Sequence, residues 1–241
     1  MSRAPAHPEV QAAAEAALAL VGDGATVGLG TGRAASCFIG LLGARARQGL
    51  SVSGVATSAD SARRATEAGI PLVDLAEELE LDLTVDGADE VAPNLDLLKG
   101  RGGALVRERI VAAASRRQII LVGGDKLVRW LGEKGRIPVE VIPLARGLAL
   151  RRLKTLGLVP TVRPAPDGGG PFQTENGNLI LDCASAQALA TPDLARALDA
   201  ELRRIPGVVD TGLFLGTAER VLVGRSDGRV DVLLRSATRD G

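Results

Sequence analysis

Two short stretches carry most of the residues able to do chemistry. "VDGADE" (85–90) sets Asp86, Asp89 and Glu90 at the end of an apolar run, and "KGRGGALVRE" (99–108) follows with Lys99, three glycines and Glu108. Three acids so close together repel one another, and a nearby cation relieves that repulsion; Lys99 is the candidate. Gly100, Gly102 and Gly103 form a loop, with Arg101 inside it, whose amides suit an oxyanion beside Lys99. Glu108 sits about a turn and a half into the helix that follows, where partial burial would suit a carboxylate to proton transfer. Each feature also has an ordinary reading. The acids can form a solvated turn, and Glu108, between Arg107 and Arg109, can lie on a charged helix surface; spacing alone favours the surface.

Other motifs fall at corresponding places. "GLGTGRAAS" (28–36) joins a strand to a helix, and its glycines expose N–H groups at a helix start, which suits a phosphate. It is neither the dinucleotide fingerprint nor a P-loop, and alone it reads equally as an anion cradle or a tight turn. Gly30, Thr31, Gly32 and Arg33 are its candidate contacts. "TSADS" (57–61) offers Thr57 and Ser58, with N-capping as its simpler role. "GGDK" (123–126) offers Lys126, and "TENGN" (174–178) reads as a hairpin turn.

Composition narrows the chemistry. Over 241 residues, 29 basic and 29 acidic side chains cancel, so bulk charge does not suggest nucleic acid or an anionic membrane as partner. Tyrosine is absent, which argues against a base-stacking platform. His7 is the only histidine and lies near the N-terminus, which argues against a Ser-His-Asp or Cys-His centre and against a His-rich metal site. Cys37 and Cys183 read as packing residues. Acid–base work would therefore fall to Asp, Glu and Lys. The longest apolar runs are too short to span a bilayer, and the first residues lack a signal-peptide core, so a cytoplasmic protein is expected.

The elements that would position these residues alternate. Strand and helix follow one another to about residue 130: helices at 9–20, 33–47, 58–69 and 103–115, and strands at 25–30, 51–57, 70–75, 81–87 and 118–124. That order argues for a doubly wound, mostly parallel α/β sheet. Thr31, Thr57, Asp86, Asp89, Lys99, Glu108 and Lys126 then fall near successive strand ends, along one expected crevice. From 138 the order becomes β-α-β-β-α-β, the pattern of a smaller ferredoxin-like α+β unit, with strands at 138–143, 158–164, 176–182 and 207–215. A closing hairpin turns at Asp227-Gly228. The expected division is a Rossmann-like domain over 1–136 and 211–241, and a smaller domain over 137–210.

In order, "GLGTG", "TSADS", "DGADEV", "KGRGGALVRERIV", "PVEVIP" and "TENGN" resemble the type A ribose-5-phosphate isomerases over nearly the whole chain. The resemblance implies a cofactor-free, metal-free aldose–ketose isomerase. It would interconvert ribose 5-phosphate and ribulose 5-phosphate through an enediolate in the non-oxidative pentose phosphate pathway, as a homodimer or homotetramer. By it, Glu108 is the base, and Lys99 with the amides of Gly100–Gly103 holds the developing oxyanion. Asp86, next to Gly87, binds sugar hydroxyls and helps open the furanose ring, and Asp89 supports the same hydroxyls. Thr31 and its neighbouring glycines bind phosphate, and Lys126 lies at the phosphate end. The loop departs from the commoner Gly-Thr-Gly-Ser-Thr: Arg33 and Ala34 replace two hydroxyl residues. Arg33 is expected to compensate by a charge-assisted contact, and an Arg33 turned to solvent would count against that.

Three other readings compete. An amino-sugar-phosphate deaminase usually leans on a histidine. A non-catalytic sugar-phosphate sensor would carry a degraded acid cluster. A coenzyme A transferase relative would use a glutamate as nucleophile.

Overall fold

The computed structural model describes residues 8–77, 79–185 and 187–235; His7 lies outside them. The chain divides into two compact units. Unit 1 comprises Met1–Ala88, Ile110–Lys126 and Thr217–Gly241, and unit 2 comprises Asp89–Arg109 and Leu127–Gly216. The division expected from sequence placed 89–109, 127–136 and 211–216 with the larger sheet, whereas here they belong to the compact unit built around residues 137–210.

Unit 1 is a six-stranded sheet. Its strands are β1 (Ala25–Leu29), β2 (Val52–Ala56), β3 (Leu83–Gly87), β6 (Gln118–Gly123), β12 (Arg220–Gly224) and β13 (Val230–Leu234). They lie in the order β13-β12-β6-β3-β1-β2. All neighbouring pairs are parallel except β12–β13, the expected hairpin closed by Gly228 at φ 84°. The inner strands are apolar almost throughout, because a parallel sheet is buried on both faces. Val27, Leu29, Leu83, Val85 and Ile119 pack with α1 (Pro8–Leu18), α2 (Arg33–Ala46) and α3 (Ala59–Ala68). Side chains alternate between faces, so Gly28 and Thr84 look the other way. A Cβ on Gly28 would fall 2.1 Å from Thr84 Oγ1 and 2.7 Å from Val111 of α4 (Leu105–Ala113), so that contact admits no side chain. The strand expected at 70–75 reduces to one bridge, Gly54 to Leu72.

Unit 2 holds a four-stranded antiparallel sheet of β7 (Ile137–Val141), β8 (Leu158–Val162), β9 (Leu179–Ser185) and β10 (Val208–Thr211). Its order is β10-β7-β9-β8. Helices α5 (Arg146–Thr155) and α6 (Pro192–Arg203) supply the crossovers, which gives the split β-α-β arrangement. Thr191 caps α6 and Pro192 opens it. A second, three-stranded sheet joins β4 (Glu90–Val91), β5 (Leu97–Leu98) and β11 (Leu213–Phe214). Strands this short carry no periodicity, which is why 207–215 reads as one strand in the sequence and is two in the structure. No described helix is long and apolar enough to cross a membrane.

Candidate active site

In unit 1 the candidate residues sit at the C-terminal ends of β1, β2, β3 and β6. The chain leaves β1 through Gly30-Thr31-Gly32, with Gly32 at φ 98°, and enters α2 at Arg33. Asp86 is fully buried, and its Oδ1 accepts N–H bonds from Thr31 (3.1 Å) and Gly87 (2.7 Å). A Cβ on Gly30 would lie 2.2 Å from Asp86 Cγ, so only glycine lets the carboxylate lie against the loop. Thr31 Oγ1 sits 2.7 Å from Thr57 Oγ1 and donates to Ser58 Oγ at 2.8 Å. Ser58 has the capping role read from "TSADS", closing a capping box on α3 with Ser61, and it also meets the loop through Thr31. Arg33 is exposed, which weighs against the phosphate contact expected of it. Lys126 ends a 3-10 turn after β6, its Nζ 3.3 Å from Asp125.

In unit 2, Lys99 and Glu108 form a buried ion pair, Nζ to Oε2 3.0 Å, with side chains only 3% and 6% exposed. The surface reading of Glu108 is thereby overturned. Helix α4 begins at Leu105, so Glu108 lies in its first turn, closer to the start than expected, where the helix dipole favours an anion. The backbone N–H of Lys99 donates to Gly212 O (2.9 Å). Phe214 stacks near both cations, 5.5 Å from Lys99 Nζ and 3.9 Å from the Arg109 guanidinium carbon. Arg109 also bonds the carboxylate of Asp210 and the carbonyls of Thr211 and Leu213. Burial pushes its guanidinium down from the usual value, and Asp210 opposes that.

The loop between Lys99 and Glu108 departs from the expected row of available amides. Arg101 N–H donates to Asp89 Oδ2 (2.9 Å) and Gly103 N–H to Gly100 O (3.1 Å). Among the described residues, the loop amides of Gly100, Gly102 and Ala104 have no acceptor. Positive φ at Gly100 (107°) and Gly103 (82°) lets the chain make these turns. The acids of the "DGADE" motif also separate. Glu90 is buried and accepts N–H bonds from Gly132, Lys134 and Gly135 at 2.6–2.9 Å, a clamp on a loop rather than a site group.

"TENGN" has a partner that the sequence does not reveal. Thr174, Asn176 and Asn178 all donate to Oε1 of Glu140, a fully buried carboxylate on β7. Arg163 and Phe172, which no sequence motif marks, touch the 100–103 loop, and Asp182 bonds Arg163. Among the described residues no three His, Cys, Asp or Glu side chains are grouped to hold a metal ion.

A buried lysine–glutamate pair beside an amide loop suits proton transfer next to a developing oxyanion. The family model for ribose 5-phosphate isomerase A (phosphoriboisomerase A) matches residues 53–228. The chain belongs to the ribose 5-phosphate isomerase A family. It is 47% identical to the ribose-5-phosphate isomerase A of Gloeobacter violaceus over 228 residues, covering 94% of this chain and 96% of the relative. The solved ribose 5-phosphate isomerase A of Methanocaldococcus jannaschii superposes with a TM-score of 0.87 at 40% identity, covering 94% of this chain and 98% of that one. A D-ribose-5-phosphate isomerase in complex with phospho-erythronic acid gives 0.88 at 38%, covering 94% and 97%. The parallel sheet with a separate antiparallel α+β unit agrees with these isomerase A structures.

Proposed function

We propose that Glu108 is the proton-transfer base and Lys99 the cation of an aldose–ketose isomerisation. The chain is a ribose-5-phosphate isomerase: it interconverts D-ribose 5-phosphate and D-ribulose 5-phosphate, a step of the pentose phosphate pathway. The observation that carries the residue roles is the buried 3.0 Å pair at the start of α4. Glu108 removes the proton from C2 of the open-chain aldose as the C1 carbonyl oxygen gains negative charge. Lys99 and the N–H groups of Gly100 and Gly102 stabilise that oxygen. Return of the proton to C1, with transfer of the O2 proton to O1, yields the ketose. Asp86 and Asp89 hold sugar hydroxyls, and Asp86 assists ring opening. The Gly30–Gly32 loop, Thr57, Ser58 and Lys126 hold the phosphate, with the exposed Arg33 adding only a solvent-screened charge. No step in this scheme requires a metal or organic cofactor. The working form is a homodimer or homotetramer in the cytoplasm.

Isomerisation in deuterium oxide tests the route. A Glu108 that exchanges its proton with solvent before delivering it to C1 places deuterium there in the ribulose product; complete retention of the substrate's C2 hydrogen at C1, the outcome of a direct hydride shift, would count against the base.

A further inference from the structure

The guanidinium of Arg163, just past β8, is mostly buried and spends its donors in two directions. Nη2 and Nε fork onto Asp182 at 2.6 and 2.9 Å. Nη1 donates to the carbonyl oxygens of Gly100 (2.9 Å) and Arg101 (3.0 Å). Phe172 lies 5.8 Å from the guanidinium, and its N–H donates to Arg163 O at 2.8 Å. Its ring occupies the space where a Cβ on Gly103 would fall, 2.5 Å away. Arg163 and its neighbours thus fix the loop at both ends.

The consequence follows from peptide geometry. Among the described residues no peptide bond is cis, and in a trans peptide the C=O and the following N–H point in opposite directions. Holding Gly100 O toward Arg163 turns Arg101 N–H away, and there it meets Asp89 Oδ2 at 2.9 Å. Holding Arg101 O turns Gly102 N–H away in the same manner. We infer that Arg163 is a positioning residue: anchored by Asp182, it aims the Arg101 amide at Asp89 and the Gly102 amide at the oxyanion. The second half rests on the enediolate reading above. Lysine cannot substitute, because a single ammonium cannot fork onto Asp182 and also hold two carbonyls.

The test compares wild type, R163K, R163Q, D182N and E108Q. It reads kcat and KM for ribose 5-phosphate, and inhibition by phospho-erythronic acid, whose planar carboxylate resembles an enediolate, and by inorganic phosphate. In R163K and R163Q, kcat is expected to fall about 10- to 100-fold, somewhat less than the loss of a whole oxyanion donor. Affinity for phospho-erythronic acid should fall in parallel, while KM and phosphate inhibition stay within about threefold. D182N should move in the same direction by less. R163K keeps the charge and folds even if R163Q does not. Wild-type kcat and analogue affinity in R163K would overturn the inference, as would equal loss of analogue and phosphate binding, the mark of general damage. Analogue affinity reads Arg163 whether or not the wild type isomerises. A fully active E108Q would instead remove the base reading and leave the aim of the Arg101 amide to be judged by analogue affinity.

Discussion

Lys99 Nζ and Glu108 Oε2 lie 3.0 Å apart with both side chains shielded from water. A buried pair is costly to assemble, and removing one partner strands the other. Lys99→Met is therefore expected to lower stability by about 3–5 kcal/mol as well as abolish most activity. Urea unfolding monitored by circular dichroism checks the first part. A midpoint equal to wild type would mean that the pair is not buried as described.

Gly30→Ala should be far more damaging than a methyl group suggests. The new Cβ would fall 2.2 Å from Asp86 Cγ, so the carboxylate must leave its two amide donors. Stability is expected to drop by about 1–3 kcal/mol, the usual cost of overpacking, with turnover falling at least tenfold. Activity at wild-type level would show that the placement of Asp86 is not needed.

Glu90 gives the contrasting case. It belongs to the same acidic motif, yet its bonds go to Gly132, Lys134 and Gly135. Glu90→Gln should cost about 1.5–3 kcal/mol in stability and leave kcat per folded molecule near wild type. A specific loss of kcat in a fully folded variant would return Glu90 to the site.

Arg33→Ala is expected to raise KM only a few-fold, because an exposed charge is screened by water and salt. An unchanged KM would remove Arg33 from the phosphate contacts altogether.

Burial, with a smaller contribution from Asp182, pushes the Cys183 thiol up to about 12. The folded chain therefore holds the thiol form where the unfolded chain already ionises. This contribution is intact below the unfolded thiol's pKa, near 9, and is lost as pH rises from there through about 12. Cys183 should label with iodoacetamide at pH 8 only as fast as the chain unfolds. Rapid labelling of native protein would contradict this burial.

The sequence discloses the fold through patterns of long reach. Uninterrupted apolar strands between amphipathic helices announce the parallel sheet, and the β-α-β-β-α-β order after 137 announces the second unit. The two-residue strands β4, β5 and β11 are too short to carry a pattern, and 70–75 is apolar enough to read as a strand without being one. Of the proposed catalytic residues, Asp86, Asp89, Lys99 and Glu108 are legible because they cluster in sequence beside glycines. Arg163 is not, because what defines it is a pair of bonds to the backbone of residues about sixty positions away, and Asp182 is not, because what defines it is its bond to Arg163. The burial of Glu108 is equally invisible in "RERI", since neighbouring arginines suggest a surface that packing against Lys99 contradicts.

The most direct measurement is the rate at which purified protein converts ribose 5-phosphate to ribulose 5-phosphate in excess EDTA, with Glu108→Gln alongside. Fast conversion by the wild type and a loss of about 10²–10⁴-fold in a folded Glu108→Gln are expected, the range for a removed general base. Glu108→Gln turning over at the wild-type rate, or a well-folded wild type that does not isomerise, would contradict the assignment of Lys99 and Glu108 as the catalytic pair.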